Sequence, residues 1–178
     1  VRYTGDRSIV AELYPNVQAS IEGALANFTD AAGYLVHADN ETWMDARREP
    51  DKVSYSPRST RANDIQALWY EQLRAGADFA AALGDEESAT RWSVAADRLR
   101  NRFAHDFVDP ATGRMADHLD ARDAPNLQVR PNLLFSLQLL DQRADAARAA
   151  RQAWEALVYP WGVATLDQIG TYGYVAES

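Results

Sequence analysis

Apolar residues recur at helical spacing in five stretches of this chain and lose that rhythm in the connections between them. In the first stretch Tyr14, Val17, Ile21, Leu25 and Phe28 share one face, and Pro15 is placed in the first turn, where its missing N–H costs nothing. A second helix is predicted from about Asp64 to Leu83, with Ile65, Leu68, Trp69, Leu73, Phe79 and Leu83 as its apolar set on two faces and Gly84 ending it. Asp85 or Ser88 caps a third, whose stripe is Ala89, Trp92, Ala96, Leu99 and Phe103. So short a join makes the second and third antiparallel neighbours. Pro131 opens a fourth helix, apolar all round through Leu140 and therefore expected to be buried on every side. The fifth, from about Ala144 to Leu157, turns Ala147, Ala150, Trp154 and Leu157 inward and Arg143, Arg148 and Arg151 outward, and stops at Pro160 and Gly162. Tyr34-Leu35-Val36 and Val163-Ala164-Thr165-Leu166 form short strand pairings at most.

The fold class is therefore all-α. Buried and amphipathic helices alternating in consecutive hairpins suggest an inner and an outer ring, of which this chain supplies about half. A closed double ring of twelve helices, at ~12 residues each plus loops, needs roughly twice this length. A plain five-helix bundle has the same pattern. Both ends read as cut, since Val1 is not a Met and Ser178 follows directly on an aromatic run, so the expectation for 1–178 is a single partial domain from inside a longer protein.

Composition narrows the partners. With 47% hydrophobic and 25% charged residues the 178-residue chain is an ordinary globular one. Its net charge of −8 disfavours nucleic acid and anionic membranes, which need a basic surface. No apolar run approaches the ~20 residues of a membrane span. There are no cysteines, and the three histidines, His37, His105 and His118, are scattered without metal-ligand spacing, so neither a metal nor another cofactor is expected. A cysteine-free chain fits either redox compartment; a cytoplasmic location is the expectation.

The chemistry gathers in three long connections. Residues 29–63 have no sustained period, yet hold too many apolar and aromatic side chains for disorder. That loop carries Asp30, Asp39, Glu41, Trp43, Asp45 and Arg58. The second, 107–130, carries Asp109, Asp117, His118, Asp120 and Arg130. The third, after Tyr159, carries Trp161, Thr165, Asp167, Tyr172 and Tyr174. Acids that move protons and bond hydroxyls, with rings that stack on pyranose faces, are what a sugar site needs. Glycoside hydrolysis uses two carboxyl groups, one protonated to assist the leaving oxygen and one ionised to activate water. Trp43 and Met44 beside Asp45 are placed to desolvate a carboxyl and keep it protonated. The ordinary role of any one loop Asp is to bond backbone amides, and a loop arginine such as Arg58 or Arg130 is as often an internal ion-pair partner as a ligand. Asn132 either caps the helix that Pro131 opens or points into the site.

Glu41-Thr42-Trp43-Met44-Asp45-Ala46, Ser56-Pro57-Arg58 and Asp64-Ile65-Gln66-Ala67-Leu68-Trp69-Tyr70, in this order, resemble the glycogen-debranching family in its amylo-α-1,6-glucosidase domain. Arg130-Pro131-Asn132 and Pro160-Trp161-Gly162-Val163-Ala164-Thr165-Leu166 are similar to later blocks of that family, so the resemblance spans about residues 33 to 170. It implies part of an (α/α)6 toroid and an inverting α-1,6-glucosidase that releases single glucose units from an α-glucan or oligosaccharide. Carried over by position, Asp45 matches the general acid, while Trp43, Arg58, Asp64, Gln66, Arg130 and Asn132 match positions near the pocket, with substrate-binding roles. Asn63-Asp64 replaces the family's apolar-Glu pair and shortens one carboxylate arm. The general base implied is a glutamate in a later segment, and Glu177 lacks the pattern around it. The rest of a parent chain is thus an expected partner and the fragment alone is expected to be inactive. Trehalase- or glucoamylase-like enzymes of the same architecture, and a non-catalytic glucan-binding helical domain, are the rival readings.

Overall fold

The computed structural model describes residue 5 and residues 7–167. Tyr172, Tyr174 and Glu177 lie outside the described residues. Five helices dominate. Four are α-helices: α1 (Ser8–Asn27), α2 (Asn63–Leu83), α3 (Glu86–Phe107) and α4 (Arg143–Leu157); between α3 and α4 lies a 3-10 helix, Pro131–Leu139. α2 is the hub and packs on α1, α3 and the 3-10 helix, which in turn pairs with α4. The joins follow from local chemistry. Gly84 ends α2 at φ 82°, a left-handed conformation that suits a residue without Cβ. The next residue, Asp85, accepts a hydrogen bond from the Ser88 N–H and caps α3. The Tyr14 hydroxyl donates to the same carboxylate at 2.6 Å and fixes α1 against this turn.

The core lies between these helices. Ile21, Leu73, Trp92, Leu99, Phe103 and Phe107 have no exposed surface. Phe103 and Phe107 stack at 4.4 Å, and Tyr34 meets the Phe107 ring edge-on at 5.5 Å. A Cβ on Gly76, midway along α2, would sit 2.3 Å from Ile21 Cδ1 and 3.1 Å from the Trp92 ring. Its hydrogen side chain is what lets α1 and α3 approach α2 together.

Four expectations are corrected by this packing. α1 begins at Ser8, so Pro15 is inside the helix and not in its first turn. The inward face of α2 buries Trp69 and Leu73 as expected but completes itself with Tyr70 and the small Ala67, Gly76, Ala77 and Ala80, and leaves Leu68 and Leu83 exposed. The fourth helix is neither α nor buried on every side. At three residues per turn Leu133, Ser136 and Leu139 align and are buried, while Leu134 and Phe135 face outward. In α4 the inward stripe is Ala149, Ala153 and Leu157, and Trp154 points to solvent at 68% exposure. Large apolar residues misled the reading in both α2 and α4, because close helix approach selects small ones.

Two small antiparallel ribbons decorate one end. Arg61–Ala62 (β1), His118–Leu119 (β2) and Pro125–Asn126 (β3) pair in that order, with Arg61 opposite Leu119 and His118 opposite Asn126. Val158–Tyr159 (β4) and Gly162–Val163 (β5) form a hairpin after α4. The first ribbon fastens the 29–62 connection to the 108–130 connection. The third joins them where the Asp167 N–H donates to the Val129 carbonyl at 3.0 Å. All three loops thus meet at the end where α2 and the 3-10 helix begin.

Gly76→Ala is expected to destabilise the chain by about 1–3 kcal/mol, because overpacking against Ile21 and Trp92 outweighs the ~1 kcal/mol that alanine adds to a helix. Urea unfolding measures it; an unchanged or raised midpoint would show that the contact yields freely.

Candidate active site

Where the three connections meet, the Arg58 side chain is sealed from solvent between two carboxylates that are equally sealed. Its Nε and Nη2 each donate to Asp117 at 2.8 Å, one to each oxygen, and Nη2 also donates to Asp64 Oδ1 at 2.8 Å. Asp64 Oδ2 accepts in turn from Asn132 Nδ2 at 2.7 Å. Asp117 Oδ2 also meets His118 Nδ1 at 3.0 Å and stands 3.5 Å from Arg130 Nε, while Arg130 Nη2 donates to Gln128. Two arginines and two aspartates make the cluster charge-neutral, the condition under which buried charges are tolerated. Burial pushes the Asp117 carboxyl up, but His118 and Arg58 outweigh it and hold the group below the usual range. Burial also draws the Arg58 guanidinium down, against which Asp117 and Asp64 hold it above its ordinary value. Arg130, with less compensation, is lowered chiefly by burial.

Each partner comes from a different element. Arg58 ends the first connection, Asp64 lies in the first turn of α2, Asp117 precedes β2, and Asn132 begins the 3-10 helix. His37 adds a second clasp. Its Nε2 accepts from the Ala62 N–H at 2.9 Å while Nδ1 lies 2.9 Å from the Ala38 carbonyl, which defines a neutral ring protonated on Nδ1. Burial, with some help from the Arg58 charge, lowers its pKa. Gln66 makes a third, exchanging two bonds with the Leu35 backbone at 2.8 and 2.9 Å.

These contacts redistribute the residues singled out from sequence. Arg58, Asp64, Arg130 and Asn132 come together; Gln66 stands apart on its own backbone clasp. Arg58, Asp64 and Gln66 have no exposed surface and direct their polar atoms to other protein groups. Arg130 and Asn132 are nearly as enclosed, at 5% and 8% exposure. Asp45 and Trp43, by contrast, are open to solvent. Trp43 stacks on Phe135 at 6.0 Å and 21°, joining the Trp-Met-Asp stretch to the outer face of the 3-10 helix. The anticipated desolvation of Asp45 by Trp43 and Met44 is not present here: the indole lies on Phe135, and the carboxyl is exposed. Most other loop acids bond backbone amides: Asp30 to Ala32 and Tyr34, Asp39 to Ser59, Asp109 to Ala111, Asp120 to Arg122 and Ala124.

Phe135 under Trp43 was not picked out from sequence, and Asp117, at the centre of the cluster, was noted only as one acid of the second connection. The available signal for Asp117 was its place in Met115-Ala116-Asp117-His118-Leu119, where apolar residues on both sides of the Asp-His pair mark a run that is buried.

The same helical fold occurs inside far larger proteins with carbohydrate-cleaving names. A structure named "Sialidase" superposes with a TM-score of 0.77 at 14% identity, covering 94% of this chain and 15% of the other. The GH78 family rhamnosidase of Bacillus sp. GL1 superposes at 0.66 with 19% identity, covering 90% of this chain and 16% of the other. The chain spans about one sixth of the length of either structure. Comparison with curated proteins gave no match. Fold and family together define a glycoside hydrolase-like protein. The amylo-alpha-1,6-glucosidase family profile matches residues 1–176, and the chain belongs to that family.

Removing one partner of a buried ion pair costs roughly 3–5 kcal/mol. Arg58→Ala is expected to lose that much in urea unfolding, and Arg58→Lys most of it, since an ammonium cannot grip Asp117 side-on and Asp64 together. Retention of wild-type stability by the lysine variant would refute the cluster's central place.

Stability is also expected to fall with pH in two steps. His37 is lowered from 6.5 in the folded state, so below pH ~6.5 the unfolded chain takes up a proton that the folded one refuses. The stability from neutral His37 is complete above that pH and is lost as pH falls toward the folded value. Asp117 is lowered from 3.8, and its contribution disappears only at more acid pH. Denaturant midpoints between pH 7.5 and 5 should decline in the wild type and decline less in His37→Gln.

Proposed function

We propose that this chain carries the acid-bearing part of an α-1,6-glucosidase site that removes single glucose units from branch points of glycogen or limit dextrin by inverting hydrolysis. The observation that carries the reading is the contrast between the two exposed residues and their support. Asp45 and Trp43 project from a connection whose far end is clamped by Arg58, Asp64 and Asp117, and whose indole is held on Phe135. A carboxyl beside a mounted ring suits protonation of a departing glycosidic oxygen while a glucose ring rests on the indole. Membership of the amylo-alpha-1,6-glucosidase family supports the choice of linkage.

In this reading the helices belong to an (α/α)6 toroid, and the end where the three connections meet is its catalytic rim. Asp45 is the general acid, Trp43 the sugar platform, and Arg130 and Asn132 lie nearest to the pocket among the enclosed residues. Arg58, Asp64 and Gln66 act as positioning residues. An inverting mechanism needs a second carboxyl ~6.5–9.5 Å from the first, with water between them. We assign no general base among the described residues and place it elsewhere in the parent protein. The exposed Asp45 supports this division, because a general acid needs a dry surrounding that further protein must complete.

A second reading, a glucan-binding domain without catalysis, is favoured by that same exposure. One assay separates them. The chain alone is expected to release no glucose from limit dextrin, while the intact parent protein turns over and loses at least ~100-fold in kcat on Asp45→Asn, the scale of a lost general acid. A parent protein insensitive to that substitution would leave only the binding reading. Turnover by the 178-residue chain that vanished on Asp45→Asn would overturn the assignment of the base elsewhere.

A further inference from the structure

We infer that Trp161, held face to face on Tyr159 at the tip of the β4–β5 hairpin, is a second carbohydrate platform that grips the outer chain of a branched glucan. The inference rests on the debranching reading for the identity of the sugar and extends it to a part of the substrate remote from the reacting bond.

Trp161 is the most exposed large apolar side chain among the described residues, at 85%. Such exposure usually means a loose ring, but this one is mounted. It stacks on Tyr159 with 5.5 Å between ring centres and 15° between planes, an offset contact that orients the indole and leaves most of it open to solvent. The mount is firm: Val158 pairs with Val163 and Tyr159 with Gly162, the Ala164 N–H donates to Leu157 at the end of α4, and Asp167 closes the segment onto Val129. A shallow depression lined by Tyr159, Trp161, Gly162, Val163 and Ala164 runs along the hairpin beside the rings.

The chemistry of the occupant follows from what surrounds it. A flat open aromatic face next to peptide N–H and C=O groups suits a ligand with one C–H-rich face and a hydroxyl-rich edge, which describes a pyranose. Nucleobases stack on such rings too, yet nucleic acid is repelled by a chain of net charge −8. The position fixes the part of the substrate. Through Asp167 and Val129 the hairpin joins the segment that leads into Arg130 and the 3-10 helix, on which Phe135 carries Trp43. The two mounted indoles therefore stand on connections that meet at one end of the fold. If Trp43 takes the branch glucose, Trp161 takes a neighbouring stretch of main chain.

Trp161→Ala in the 178-residue chain tests this, with limit dextrin and the short linear trisaccharide panose, whose terminal glucose is α-1,6-linked, as probes, both followed by calorimetry. The expected result is roughly tenfold weaker binding of limit dextrin, the scale of one lost aromatic contact, with panose binding unchanged. Because the ring is exposed, the variant should fold, and an unchanged melting profile checks it. Tyr159→Phe should retain wild-type affinity, since the stack and not the hydroxyl orients the indole. Equal limit-dextrin affinity in Trp161→Ala and wild type overturns the platform, as does absence of limit-dextrin binding by wild type. A change of oligomeric state on Trp161→Ala, seen by sedimentation without loss of glucan affinity, overturns it in favour of a contact between copies. The debranching reading fails separately: limit-dextrin binding that depends on Trp161, with no panose signal affected by Trp43→Ala, keeps the platform and removes the branch-glucose site.

Discussion

A guanidinium with no exposed surface, gripped side-on by Asp117 and end-on by Asp64, is the interaction on which the rim of this fold depends. Its three partners, counting Asn132 through Asp64, come from the second connection, α2 and the 3-10 helix, which helix packing alone would leave free to slide. Hydrophobic contact fixes how far apart helices lie but is tolerant of their register. Bidentate hydrogen bonding is not: a shift of an ångström breaks it and strands a charge in a medium that cannot solvate it. The cluster thus contributes position more than net stability.

That division of labour explains the contrast between buried and exposed polar residues. The chemistry of a glycosidase needs carboxyls and rings at the surface, on loops, where backbone freedom is greatest. Here the Trp43-Met44-Asp45 stretch stands between clasps: on its N-terminal side His37 bonds Ala62 and Leu35 bonds Gln66, and Arg58 holds its C-terminal side. Phe135 adds a contact from below. The loop remains open at its tip while its ends behave as part of the core.

Sequence made the helices legible because their signals are local. Gly84 and Asp85 state the α2–α3 turn in two adjacent residues, and the interior of α3 has the apolar spacing its burial requires. The errors arose where partners are distant. Nothing near Trp154 announces that Ala149 and Ala153 form the tighter face, and nothing near Leu134 or Phe135 announces a three-residue turn that leaves them outside. The same holds for the site. The block containing Asp45 and Trp43 was readable as a motif, whereas Arg58 and Asp117 are 59 positions apart and only folding shows that one is the other's counter-charge. Arg58, Asp64 and Gln66, which looked like ligands because they are polar and grouped in motifs, are buried in the frame behind the exposed Trp43 and Asp45.

A frame of this kind also constrains what the exposed pair can do. Asp45 is exposed to solvent, and Trp43 has one face engaged by Phe135. Under the proposed reading both make up half of a site, a ring mounted on Phe135 beside a presented carboxyl. Closing further protein over that end would dry the carboxyl and bring a water-activating partner to the far side of the bond, and neither change requires the clamped loop to move. In the proposed reading, then, this segment supplies position and the rest of the protein supplies the electrostatics, the division that the acid side of a debranching centre would require.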